Sequence, residues 1–221
     1  MDSNNLVLNP EIIEKFCDSF ISKLSKYKLS YYLRKKSNDK SAENAIHASI
    51  IWTRQAVTEI NKSQLTKGSK DINDLIILIS YIDILLESTE QIYRALYKST
   101  NYPYDNQEEF CFRDIPDEYK QLNNKKYFKE IRALFSAHPV NIKTPSGEVR
   151  FSDIPIPKGN MFAVSKLKGD FNIRLWTATK NDKDTIHFTL YVEDLLKYSQ
   201  VLYSRYDKYS ERLIKIAKKD I

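Results

Sequence analysis

Five stretches of this chain return an apolar residue every three or four positions, and only the stretch from Phe171 to Val192 alternates instead. The first period belongs to helices and the second to half-buried strands. A chain written this way folds as a helical bundle with a small sheet set into it. Composition agrees where it bears on the point. Four glycines and seven prolines in 221 residues are too few for a turn-rich sandwich, while 42% hydrophobic residues suffice for a core.

The periodic stretches have recognisable ends. Asn9-Pro10-Glu11 starts a helix, predicted to reach Arg34 through Ile12, Ile13, Phe16, Phe20, Leu24 and Tyr27. Ser41 opens a second helix over 42–62, with Ala45, Ala48, Ile51, Trp52 and Val57 as its expected apolar positions. Ser69 and Asp71 cap a third, reaching Lys98, whose first half is apolar nearly all round. That face asks for a central place in a bundle or for a partner chain. A connection over 100–124 leads to a fourth helix, Lys125 to Ala137, which stops before Pro139. The last helix spans Glu193 to Lys219.

The alternating stretch predicts a hairpin. Phe171, Ile173 and Leu175 form one apolar set, and Ile186, Phe188, Leu190 and Val192 the other. Asn181-Asp182-Lys183-Asp184 has turn composition. Pairing Lys180 with Thr185 places Thr177 opposite Phe188, Leu175 opposite Leu190 and Ile173 opposite Val192. Met161 to Leu167 adds a possible third strand. The expected fold is therefore mainly α: a single domain over 1–221, a four- or five-helix bundle with a β-rich insertion over 145–192 before the last helix.

Several function classes lack their residues. No Gly-rich loop exists for a nucleotide phosphate. Cys17 and Cys111 give neither a zinc site nor a disulfide framework, which suits a reducing cytoplasmic setting. His47 follows Glu43 by four, and Arg54 lies further along, but no third ligand stands at a fixed spacing, so no metal is expected. No cofactor is implied. The N-terminus lacks signal-peptide character, and Leu75 to Leu86 is interrupted by Ser80 and Asp83, so no membrane partner is expected. The bias toward Lys, Ile, Asn, Tyr and Ser is that of an AT-rich, bacterial or mobile-element genome.

The remaining chemistry gathers in the segment from Tyr127 to Asn141, where Arg132 and His138 enclose five residues at the end of a helix. Here the chain resembles the HEPN superfamily, helical bundles of which many are metal-independent endoribonucleases marked by Arg, four to six residues, then His. The resemblance is sharp over this segment and loose over the bundle. It implies that Arg132 stabilises charge on the phosphoryl oxygens and that His138 moves the proton of the attacking 2′-hydroxyl or the leaving oxygen. It also implies a homodimer, an RNA substrate, and a toxin–antitoxin or phage-defence setting with a neutralising partner protein. Ala133 departs from the polar residue that commonly follows the arginine in active members. The residues alone also fit another account, with Arg132 paired to a carboxylate and His138 ending the helix, in a non-catalytic HEPN-like dimerising, sensing or antitoxin-like module.

Two further surfaces have the makeup of an RNA contact. The outward face of the hairpin carries Arg174, Trp176, His187 and Tyr191, mixing basic groups with aromatic rings. The last helix carries Arg205, Lys208, Arg212, Lys215 and Lys218 among acidic residues. Arg212 is the candidate there, and a solvated helix face is the alternative. The net charge of +6 is compatible with a polyanion but does not demand one.

Overall fold

The computed structural model describes residues 7–24, 27–35, 42–106, 109–137, 142–145, 147–159, 168–176 and 185–218. The fold is mainly α-helical, with a small antiparallel sheet ahead of the final helix. The helices are α1 (Glu11–Leu24), α2 (Tyr27–Lys35), α3 (Ala42–Lys62), α4 (Ile72–Tyr97), α5 (Asn124–Arg132) and α6 (Val192–Lys218). The strands are β1 (Ile142–Lys143), β2 (Val149–Ser152), β3 (Ile156–Pro157), β4 (Phe171–Trp176) and β5 (Ile186–Leu190). No helix among the described residues is long and apolar enough to cross a membrane.

The chain divides into two compact units, residues 1–62, 81–103 and 199–221 in one, and residues 63–80 and 104–198 in the other. The regular elements described in the first are all helices. Its core centres on the tyrosines of α6. Tyr206 shares a hydrogen bond with the Thr53 hydroxyl and meets Phe16 edge-on, and Tyr203 accepts the backbone N–H of Ile13 at 3.0 Å. Tyr209 donates to the carbonyl of Thr89 at 3.0 Å.

The stretch expected as one helix to Arg34 is two. Leu29 and Leu33 are buried in α2, as Phe16 and Phe20 are in α1. On one straight helix Leu29 would point about 180° away from Phe20, so burying both sets requires a change of direction. The helix over 42–62 is as expected, but its buried face differs. Ile46, Ile50, Thr53, Val57 and Ile60 face inward, leaving Ile51 and Trp52 64% and 54% exposed. The buried hydrogen bond of Thr53 lets a polar residue occupy the core line. Asp71 caps α4 by accepting the Asn73 N–H at 2.7 Å. The greasy first half of α4 is covered at Leu75, Leu78, Ile79 and Ile82, and Ile77 is left half exposed.

The second unit is built round the sheet, with β4 at its centre. The run from β2 to β3 follows one edge of β4, pairing Phe151 with Trp176 and Ile156 with Asn172, and β5 follows the other. One face of the sheet is apolar and closed. Phe171, Ile173, Leu175, Phe188 and Leu190 are buried there, with α5 packed above. Tyr127 of α5 stacks on Phe188 at 5.4 Å, and Tyr119 meets the same ring edge-on at 5.5 Å.

The observed register corrects the expected one. Leu175 faces Ile186, Ile173 faces Phe188 and Phe171 faces Leu190, a shift of four positions along β5. An even shift leaves every side chain on its expected face, so the alternation could not distinguish the two. The lock lies at the opposite end from the expected turn. Gly169 has φ +74 and sits so close to β5 that a Cβ would lie 2.4 Å from Thr189 Cγ2. Next to it, the Asp170 N–H donates to the Leu190 carbonyl at 2.8 Å. The Asp170 carboxylate accepts the Val192 N–H at 2.9 Å, which makes Val192 the start of α6 rather than the end of a strand. The third strand expected over Met161 to Leu167, and the turn at 181–184, lie outside the described residues.

Candidate nucleic-acid interface

The open face of the sheet carries three of the four residues the alternation assigned to it. Arg174 stands directly across from His187 on β5, and both are exposed. Trp176, two residues along β4 on the same face, is half-buried. The Arg174 guanidinium lies 5.7 Å from the Trp176 ring centre and donates from Nε to the Asp153 carboxylate at 2.8 Å. Asp153 follows β2, and its N–H bonds the Arg174 carbonyl at 3.1 Å, so the carboxylate is held beside the arginine by the edge pairing itself. A surface ion pair of this kind contributes about 0–1 kcal/mol, little enough for a phosphate to displace. At the far end of the face, Thr189 donates to the Asn172 side-chain oxygen at 3.1 Å and Asn172 is buried.

Tyr191 does not join this surface. Its hydroxyl donates to Asp114 at 2.5 Å and its ring carries the Arg113 guanidinium at 4.4 Å. The hydrogen bond to Asp114, with burial adding to it, pushes the hydroxyl up to about 12. Arg113 in turn binds Asp194 at the start of α6 at 2.7 Å. The cluster fastens the loop over 109–114 to the helix.

Arg212 belongs to the other unit, where its guanidinium has structural partners. It donates to the Leu96 carbonyl at 3.4 Å and the Tyr32 hydroxyl at 3.1 Å, and lies 5.0 Å from the Tyr97 ring centre. Leu96 sits in the last turn of α4, where carbonyls lack helical donors. A basic helix in sequence is thus, at this position, a cap for its neighbour.

Arg132 is the last residue of α5 and is exposed, while Tyr127, Phe128 and Ile131 are buried behind it. The chain then widens into a π turn over Ala133–Ala137. His138 lies outside the described residues. Because α5 covers the closed face of the sheet, Arg132 and the Arg174–His187 pair lie on opposite sides of it. Within this unit Arg132 is therefore not brought into one cleft with Arg174 and His187.

The closed face holds polar groups as well. The hydroxyls of Tyr119 and Tyr127 are buried and have no hydrogen-bond partner among the described residues, and burial drives both far up from the ordinary tyrosine range. They stay protonated at any neutral pH. Glu130 on α5 is also pushed up, by burial. Among the described residues no group of three or more His, Cys, Asp or Glu gathers as metal ligands. His47 packs edge-on against Phe20 at 5.0 Å. Cys17 and Cys111 are buried thiols.

Sequence reasoning missed two residues of the open face. Phe151 lies opposite Trp176, and Asp153 pairs with Arg174. Phe151 lies in a strand too short for alternation to show, and Asp153 directly follows it. No protein-family model, curated protein or solved structure matches this chain.

Proposed function

We propose that this protein binds single-stranded RNA on the open face of its sheet. The observation that carries the reading is the placement of Arg174 across from His187, with Trp176 beside them. Arginine supplies a forked donor for phosphate, and the indole supplies a stacking face for a base. Polyanion binding of this size is salt-dependent, with a slope of about −0.7 in log K against log salt for each phosphate engaged on a single strand. Fluorescence anisotropy with a labelled ten-nucleotide RNA tests it. Arg174→Ala should weaken binding and lessen the salt slope by about 0.7. Unchanged affinity and slope would remove the reading.

A second reading adds cleavage, and the π turn between Arg132 and His138 favours it. Wide turns of this kind are frequent at functional sites, and this one separates the two residues of the HEPN-like motif. On that reading the protein is a metal-independent endoribonuclease and a homodimer, held in check by a neutralising partner in a toxin–antitoxin or phage-defence setting. Arg132 stabilises the phosphoryl oxygens and His138 transfers the proton. The assay is incubation of mixed RNA with EDTA present. Cleavage to cyclic-phosphate ends, lost by about 10²–10⁴ in rate on His138→Ala and about 10²–10³ on Arg132→Ala, supports it. Intact RNA leaves a non-catalytic HEPN-like RNA-binding module, the form that Ala133 favours.

A further inference from the structure

We infer that Phe151 is the second half of the binding surface: it and Trp176 form a two-ring platform that takes unpaired bases, with Asp153 holding Arg174 between them and the strand β5. The inference rests on the RNA-binding reading above and narrows its substrate to single strands with bases free to stack.

The register makes the case. Residues directly opposite each other on antiparallel strands share a face, with Cβ atoms about 4.5–5.5 Å apart. Phe151 faces Trp176 across the β2–β4 pairing, and Arg174 faces His187 across the β4–β5 pairing. Arg174 and Trp176 are two apart on β4, so all four side chains leave the same side of three adjacent strands. Two aromatic rings sit at one end of this surface and two nitrogen bases at the other. Phe151 and Trp176 are each half-buried, which seats the rings on the sheet instead of leaving them loose in solvent. A duplex hides its base faces, so a ring platform recognises only bases that are already unstacked.

Asp153 gives the surface a second property. Its carboxylate occupies Arg174 at 2.8 Å, and the arginine side chain is still 55% exposed. The carboxylate holds the guanidinium over the indole and competes with an incoming phosphate for it. Removing that charge therefore strengthens phosphate binding, whereas a purely structural ion pair would only weaken on its loss.

The experiment uses the full chain with Trp52→Phe, so that Trp176 is the one indole left of the two in the sequence. The probes are a ten-nucleotide oligouridylate and a blunt RNA duplex of equal length. The expected result is quenching of Trp176 by the single strand and not by the duplex. Phe151→Ala should weaken binding about tenfold to a hundredfold, as loss of one base stack does. Phe151→Leu, which keeps the apolar volume but lacks a ring, should weaken it as well while leaving the circular dichroism of the fold intact. Asp153→Asn should tighten binding several-fold at low salt. Equal binding of duplex and single strand overturns the inference. So does parental affinity in a folded Phe151→Leu variant that still responds to Arg174→Ala, and the RNA-binding reading then survives alone. Loss of all response, including that to Arg174→Ala, overturns both.

Discussion

Replacing Gly169 by alanine tests whether the sheet register is fixed where the structure fixes it. The residue has φ +74, and an added Cβ would lie 2.4 Å from Thr189 Cγ2 and 2.9 Å from the Leu190 carbonyl oxygen. Left-handed backbone costs a non-glycine residue about 1–2 kcal/mol. Forcing a methyl group into a packed site costs a further 1–3 kcal/mol or so. Against these, alanine restricts the unfolded chain and returns about 0.4–1 kcal/mol. The net loss should be about 1–4.5 kcal/mol. Urea unfolding measures it, and hydrogen exchange should show faster opening of β4 and β5. Thr189→Ser removes the methyl that would be struck and keeps the hydroxyl that binds Asn172. In the double variant part of the loss should return, with a coupling of about 0.5–3 kcal/mol. Recovery stays incomplete, because the Leu190 oxygen belongs to the backbone and cannot move aside alone. A Gly169→Ala protein within about 0.5 kcal/mol of the parent, or a double variant showing no coupling, would refute this account of the register.

Tyr206→Phe leaves the Thr53 hydroxyl buried without its partner and should cost about 1–3 kcal/mol in urea unfolding; Thr53→Val added to it should cost less than the two singles summed. Burial raises Tyr203 from 10.0 to about 12, so its contribution is whole below pH 10 and disappears as pH rises toward 12; Tyr203→Phe should flatten the alkaline loss of stability, and an unchanged profile would contradict it. Burial raises the Glu130 carboxyl above 4.5, so its charge costs stability at neutral pH; Glu130→Gln should raise the melting temperature at pH 7 and lose that advantage once the pH falls below the ordinary carboxyl range. Light scattering at tens of micromolar should report a dimer if the HEPN-type reading holds, burying more than about 1,000 Å²; a monomer would count against the homodimer and against any cleft shared between copies.

Much of this fold is legible because helices announce themselves through both period and caps. The bounds of α3 and α6 follow from the period to within a residue, and the caps of α1 and α4 follow from Asn9 and Asp71 placed before apolar runs. Periodicity gives a face only up to rotation, which is why Ile51 and Trp52 look like core in sequence and Thr53 does not. The break between α1 and α2 is written in the phase of Leu29 and Leu33 against Phe20, visible once both are known to be buried. In the sheet, alternation fixed which side chains face outward, so Arg174, Trp176 and His187 were within reach. It could not fix register, because shifts by even numbers are silent to it. Phe151 and Asp153 were invisible for a different reason. Strands of two to four residues broken by Pro155 and Pro157 have no period, and only the backbone pairing to β4 reveals them. The contacts of Arg212 to Leu96 and Tyr32 were not legible, because charge alone does not tell a solvated side chain from one that caps a neighbouring helix.

The hydrogen bond from the Ile13 N–H to the Tyr203 hydroxyl joins residues 190 positions apart. A ribosome adding about 5–20 residues each second needs roughly 10–40 s to travel that distance. Through that interval Ile13, Phe16 and Phe20 have been made and the helix that covers them has not. The early helices can meet one another, as Phe20 and His47 do, but the part of the stripe that packs on Tyr203 and Tyr206 leaves the ribosome unmatched. The helical unit can be completed only after translation has passed Tyr206 and Tyr209, so the nascent chain is a natural client for a chaperone that shields apolar helices. Its yield on expression should depend on synthesis rate and temperature more steeply than its final stability would indicate.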